Sequence, residues 1–335
     1  MAKTKGTEVV DLRKLYRGVQ KDAQHLLQGK FQAIVERHRA ADASLGKAAA
    51  AAGAALRRVF GRDAEYAAAI KPLVSAASKE LLKLERAEAR LGRPLSREVA
   101  LGLLSGSGIR DLGGSIGGTV AMTMAKDTRV DVRVPPYNDA WTDAEGGRHQ
   151  QQEVWANKND GNFGFLYTIG QEGGSVSCGA GVEVLFMRDH PGFPPGQGPA
   201  GLAQVRTYTP YEYAWRDKSY LGTAHQHAGF GVLVWSAPLG GGPSRTDLDH
   251  EYWTWSDGTS WFEEHTNPSF SGRDFDTALQ FGNEAPYFPI EPGRIYGAWI
   301  WCFAGGDAHG ADLTSAGFAQ ALIDATAKLI VIGQQ

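Results

Sequence analysis

His225 and His227 stand two residues apart. On a strand such a spacing puts both imidazoles on one face, which is how a β-structure presents nitrogen ligands to a metal ion. A site of this kind needs a third ligand, and His250, Asp249 or His265 would have to supply it. The plain alternative is a polar pair at a strand edge with no metal, and no other motif implies a cofactor. A second concentration of chemistry follows. Asp247, Asp249, Glu251, Asp257, Glu263 and Glu264 are interleaved with Tyr252, Trp253, Trp255 and Trp261. Carboxylates among aromatic rings serve either a glycosidase cleft or a sugar-binding platform, where rings stack on sugar faces and acids accept hydroxyl hydrogen bonds. Together with Tyr211, Tyr213 and Trp215 upstream, the residues Trp253, Trp255, Trp261 and Asp257 form the candidate ligand-binding set. The competing expectation is packing, with Trp253 and Trp255 facing one way and Tyr252 and Thr254 the other.

Other chemistries lack their motifs. No G-x-S-x-G is present, so there is no nucleophile elbow. Cys178 in GGSVSCGAG and Cys302 in WIWCF have no adjacent His to generate a thiolate. They are too few for a zinc site and read as small buried residues, whose pairing the sequence leaves open. No D-x-D-x-D-G loop suggests calcium. The stretch 102–123, GLLSGSGIRDLGGSIGGTVAMT, holds seven glycines and three serines but fits neither phosphate-loop pattern.

The elements that must position these groups divide the chain in two. Residues 1–130 carry 23 Lys+Arg against 13 Asp+Glu, and residues 131–335 carry 11 against 24. All nine tryptophans lie in the second part. Two units with different jobs are expected. We place a basic, Ala-rich helical unit at 1–101, a Gly/Ser-rich linker at 102–127 and an acidic, aromatic-rich unit at 128–335.

From Leu12 to Val35 apolar residues recur at gaps of three and four, which predicts a helix with one apolar stripe. Further helices are expected over 43–60, from Asp63 to about Arg90, and from Ser96 to about Leu104. The resulting helical bundle or hairpins would bury that stripe internally, against another chain as an assembly seam, or on an anionic membrane surface. Nucleic acid is not indicated, because the basic residues are interspersed with acids and lack aromatic partners.

The second unit shows runs of strand character separated by turns. They cover 128–134, 151–156, 163–170, 181–187, 204–216, 229–237, 251–257, 260–265, 294–303 and 326–332, with a short helix near 315–324. Asn-Asp-Gly-Asn at 159–162 and Asp257-Gly258 are read as hairpin turns. Antiparallel runs without interleaved helices predict a β-sandwich of jelly-roll type, with one face of each sheet wet. The fold class is thus α+β in two parts.

No run of apolar residues is long enough to span a membrane, and the chain start lacks the apolar core of a secretory signal. Cytoplasmic residence is expected, with release by a non-classical route as the alternative. The function that accounts for most of these features is a non-enzymatic structural or recognition protein. Its helices oligomerise or dock, and its sandwich binds a protein or a glycan. A pore-forming, membrane-active protein is one alternative. A jelly-roll metal-dependent enzyme or glycan hydrolase is the other.

Overall fold

The computed structural model describes residues 17, 19–37, 40, 47, 129–146, 150–170, 173–220, 222–260, 264–272, 285–310 and 316–335. The helices expected beyond residue 47, the linker at 102–127 and Trp261 lie outside them. Among the described residues there is one helix, α1 (19–37), and not a bundle.

Three antiparallel sheets build the rest. The long sheet has the order β2 (Asp139–Gly146), β5 (Gly174–Met187), β12 (Arg294–Gly310), β8 (Gly222–Pro238) and β9 (Arg245–Ser260). The middle sheet runs β10 (Glu264–Gly272), β7 (Tyr211–Tyr220), β13 (Ala316–Thr326), β4 (Asn162–Ile169) and β3 (Gln150–Asn157). The small sheet runs β1 (Arg129–Arg133), β14 (Leu329–Gln334), β6 (Gly201–Tyr208) and β11 (Tyr287–Ile290).

The long sheet packs by one face on the other two, closing a sandwich. Val182, Phe230, Ile300 and Cys302 meet Phe165, Ile323, Val205 and Ile330 in one core. The run 204–216 is a single strand in the sequence pattern but two strands in the molecule, because Pro210 cannot donate to a ladder and the chain passes there from the small sheet to the middle one.

The opposite face of the long sheet is not wet. Ala23, Leu27, Phe31, Ile34 and Val35 of α1 are buried against Trp141, Leu233, Trp235, Trp299, Trp301 and Phe303. Burial of each large side chain is worth about 1.5–3 kcal/mol before chain entropy is counted. The described part of the apolar stripe is therefore spent on the chain's own sheet rather than on another helix. Polar contacts set its register. Gln20 and Gln24 both donate to Asp139, Gln28 donates to Asp143 and Gln32 to Glu145, so glutamines four apart follow β2 along its length. On the other flank Lys30 bridges Asp249 and Glu251, each at 2.7 Å. Burial alone would lower the Lys30 pKa, and these hydrogen bonds outweigh it and raise it.

Two local expectations are corrected and one is met. Where a helix near 315–324 is expected, Ala316–Thr326 forms strand β13, because Ala319, Ala321, Ile323 and Ala325 alternate into the sandwich core. The hairpin at 159–162 forms, with Gly161 at φ 78°. The one at Asp257-Gly258 does not, and β9 pairs straight through to Ser260 against β8.

Candidate functional site

Strand β9 contains the decisive irregularity. Ala228 pairs with Trp255, but the next residue, Gly229, pairs with Trp253. Thr254 is thus the extra residue of a bulge, and a bulge re-aims the side chains beyond it. Trp255 turns inward and is buried. Trp253 turns outward and is 42% exposed. The expectation that the two rings share a face fails for this reason.

Trp253 is held, not loose. Its ring meets Phe303 edge-on at 5.2 Å and lies 4.9 Å from the His227 ring. Phe303 touches Trp301, Trp301 touches Trp141, and Trp141 touches Phe31 of α1. Glu251, two residues upstream, accepts hydrogen bonds from Arg37 at 3.0 Å.

His225 and His227 do share a face, as their spacing requires. His225 Nδ1 lies 3.8 Å from Asp307 of β12, and His309 Nε2 lies 3.9 Å from the same carboxylate. Asp307 and His309 belong to a constellation that sequence spacing did not reveal, since only the in-register pairing of β8 with β12 brings His225 opposite Asp307. The ligands expected to complete a metal site stand elsewhere. Asp249 is paired with Lys30, His265 is bonded to Asp257, and His250 lies opposite Val232 with its pKa lowered by burial. Among the described residues no three His, Cys, Asp or Glu side chains converge as a metal ion needs.

The remaining predicted residues line the sandwich interior near the edge between β9 and β10. Tyr211 stacks on Tyr213 at 6.1 Å, Tyr213 stacks on Trp255 at 5.1 Å, and Trp215 is half-buried against the core. These rings fill space between sheets.

At their polar end Asp257 is bonded to His265 at 2.8 Å. Beyond them Asp217 is fully buried. Burial, with Asp257 and Asp307 adding repulsion, pushes its carboxyl up to about 8. The Gln226 amide is its favourable neighbour, at a geometry too loose to satisfy either carboxylate oxygen. Tyr167 donates to Gln226 at 3.0 Å, and burial raises its hydroxyl well above the ordinary tyrosine range. Cys178 and Cys302 are free and buried, and burial raises both thiols.

No family model matches the chain, and no curated protein matches it. A solved structure of TmCBM61 in complex with beta-1,4-galactotriose covers 57% of this chain and 86% of its own, at 13% identity and a TM-score of 0.15. A superposition of that quality does not align the two folds. Among the described candidate rings, one is presented, Trp253, and the others pack. Among the described residues no helix is long and apolar enough to cross a membrane.

Proposed function

We propose that the protein is a recognition module that binds glycan on the outer face of its long sheet, at Trp253. The observation that carries this is the bulge at Thr254, which sends one tryptophan outward while its neighbour two residues on is buried. An exposed indole braced by Phe303 and His227 offers a flat apolar face to the C–H side of a sugar ring. The partly exposed imidazole of His225, on the same strand face as His227, adds a hydrogen-bonding group nearby. Ordering few flexible groups keeps the cost of binding low.

A hydrolytic reading has one observation in its favour, a carboxyl raised to about 8 near an Asp257 paired with His265. Carboxyls pushed apart in pKa are what acid–base hydrolysis uses. Yet a general acid must reach the glycosidic oxygen, and Asp217 is sealed from solvent. The burial that raises its pKa also keeps it from substrate, so recognition without turnover is the better reading.

The test is binding of the full-length chain to a panel of soluble oligosaccharides by calorimetry, with Trp253→Ala beside the wild type. Loss of one aromatic–sugar contact is expected to weaken binding by about tenfold or more. Equal affinity of the two proteins, or no binding by the wild type, ends this reading. Release of reducing sugar from the same panel would replace it with hydrolysis.

A further inference from the structure

The sandwich has a second open edge, between β2 and β3, on the far side of the long sheet from Trp253. A cavity of about 520 Å³ lies there, within the usual size range of small-molecule sites. Three structural layers line it. Val35 comes from α1, Glu145 and Gly146 from β2, Ser175 and Ser177 from β5 of the same sheet, and Gln152 from β3 of the opposite sheet.

The chemistry of the lining is selective. Among the described residues Glu145 is the one charged side chain in it, and it already accepts a hydrogen bond from Gln32. A buried or half-buried carboxylate repels phosphate and carboxylate ligands. The serine hydroxyls and the Gln152 amide each donate and accept, which matches a ligand whose own groups do both. Val35 and Val176 lie behind this mainly polar lining, each almost fully buried. A lining rich in groups that both donate and accept suits a neutral ligand dense in hydroxyls, such as a sugar ring or a cyclic polyol. Gly146 keeps the space open. A Cβ there would stand 2.8 Å from the Gln152 amide oxygen and 2.9 Å from that of Gln150.

We propose that this cavity binds a small neutral polyhydroxylated molecule, the size of a single sugar, and that the bound molecule fastens α1 to both sheets of the sandwich. The inference does not rest on the Trp253 reading, because it concerns another edge, other residues and a single-ring ligand.

Hydrogen exchange of the full-length chain tests it. The probes are glucose, galactose, mannose, N-acetylglucosamine and myo-inositol at millimolar concentration, with glucose 1-phosphate as the anionic control. At least one neutral probe is expected to slow amide exchange in residues 19–37 and around Glu145, while glucose 1-phosphate does not. Ser175→Val and Glu145→Gln should each weaken that protection by about tenfold in probe concentration. Glu145→Gln preserves size, Ser175→Val adds one heavy atom at a half-buried position, and unchanged far-ultraviolet spectra will show that each variant folds. Trp253→Ala should leave the protection intact. No protection by any neutral probe, or protection that survives both cavity substitutions, overturns the proposal. Protection that disappears with Trp253→Ala instead overturns it in favour of a single site at Trp253. A protein that fails the oligosaccharide panel but passes here separates the two readings.

Discussion

Strand β12 shows two solutions to burial on its two faces. Toward the sandwich it sends Tyr296, Ala298, Ile300, Cys302 and Ala304, mostly small or medium side chains. Toward α1 it sends Ile295, Trp299, Trp301 and Phe303. The sheet-facing side interlocks with another pleated surface, where the modest side chains of β12 share one core with rings such as Phe165, Tyr167 and Phe230 from neighbouring strands. The helix-facing side must fill the space beneath a cylinder, and it does so with large rings set over glycines. Trp301 occupies the room left by Gly231 and Gly181, and Trp235 that left by Gly297. The difference teaches that α1 is a third layer of the fold, shaped into the sheet from below, and not an appendage resting on it.

The comparison is most easily broken at Trp301. Replacing it by Ala under a layer that belongs to the fold should cost about 3–5 kcal/mol in chemical denaturation, while Ile300→Val on the opposite face should cost about 0.5–1.5 kcal/mol. If Trp301→Ala strips helical signal and leaves the unfolding of the sandwich where it was, the third-layer view is lost.

The interior of the sandwich is sharpened by Asp217. Its folded pKa of about 8 is raised by burial and by Asp257 and Asp307. The folded chain therefore keeps a proton that the unfolded chain loses from about pH 4 upward. Stability from this group is fully present below about pH 4. It declines as pH rises toward 8, by at most about 1.4 kcal/mol per pH unit. Asp217→Asn should remove that slope and make the variant more stable than wild type at pH 8. Parallel stability–pH curves for the two proteins would show that the carboxyl is not held in this state.

The smallest effect is at the seam of α1. Gln28 donates to Asp143 and accepts from Trp141 Nε1 at 3.3 Å. Gln28→Ala should cost about 1 kcal/mol. A cost below experimental error would mean that the glutamine register along β2 contributes nothing beyond what the apolar stripe already fixes.

Much of this architecture is readable from residue order. Alternation exposed most strands of the sandwich, and gaps of three and four exposed α1. The partner of α1 was readable too, though less directly. In RIYGAWIWCF both alternating sets are apolar, which means a strand covered on both faces. Reading one set as core and leaving the other wet misses the layer that the helix supplies. β13 was misread because alanine favours helix locally, and only its place between β4 and β7 makes those alanines a strand.

The candidate site was half legible. Its residue types stood out, but which tryptophan is presented depends on one bulged residue. Bulges follow from pairing across strands, which no local pattern records. Asp307 and His309 were hidden for the same reason, being distant from His225 in the chain and adjacent only in register.

The ring contacts from Phe31 through Trp141, Trp301 and Phe303 to Trp253 also have an optical consequence. Indoles held at fixed angles couple their electronic transitions, so this row will give strong near-ultraviolet circular dichroism. The signal starts on α1 and ends at the exposed ring. The protein thus carries a built-in chromophore that reads helix docking at one end and events at Trp253 at the other, with no label attached.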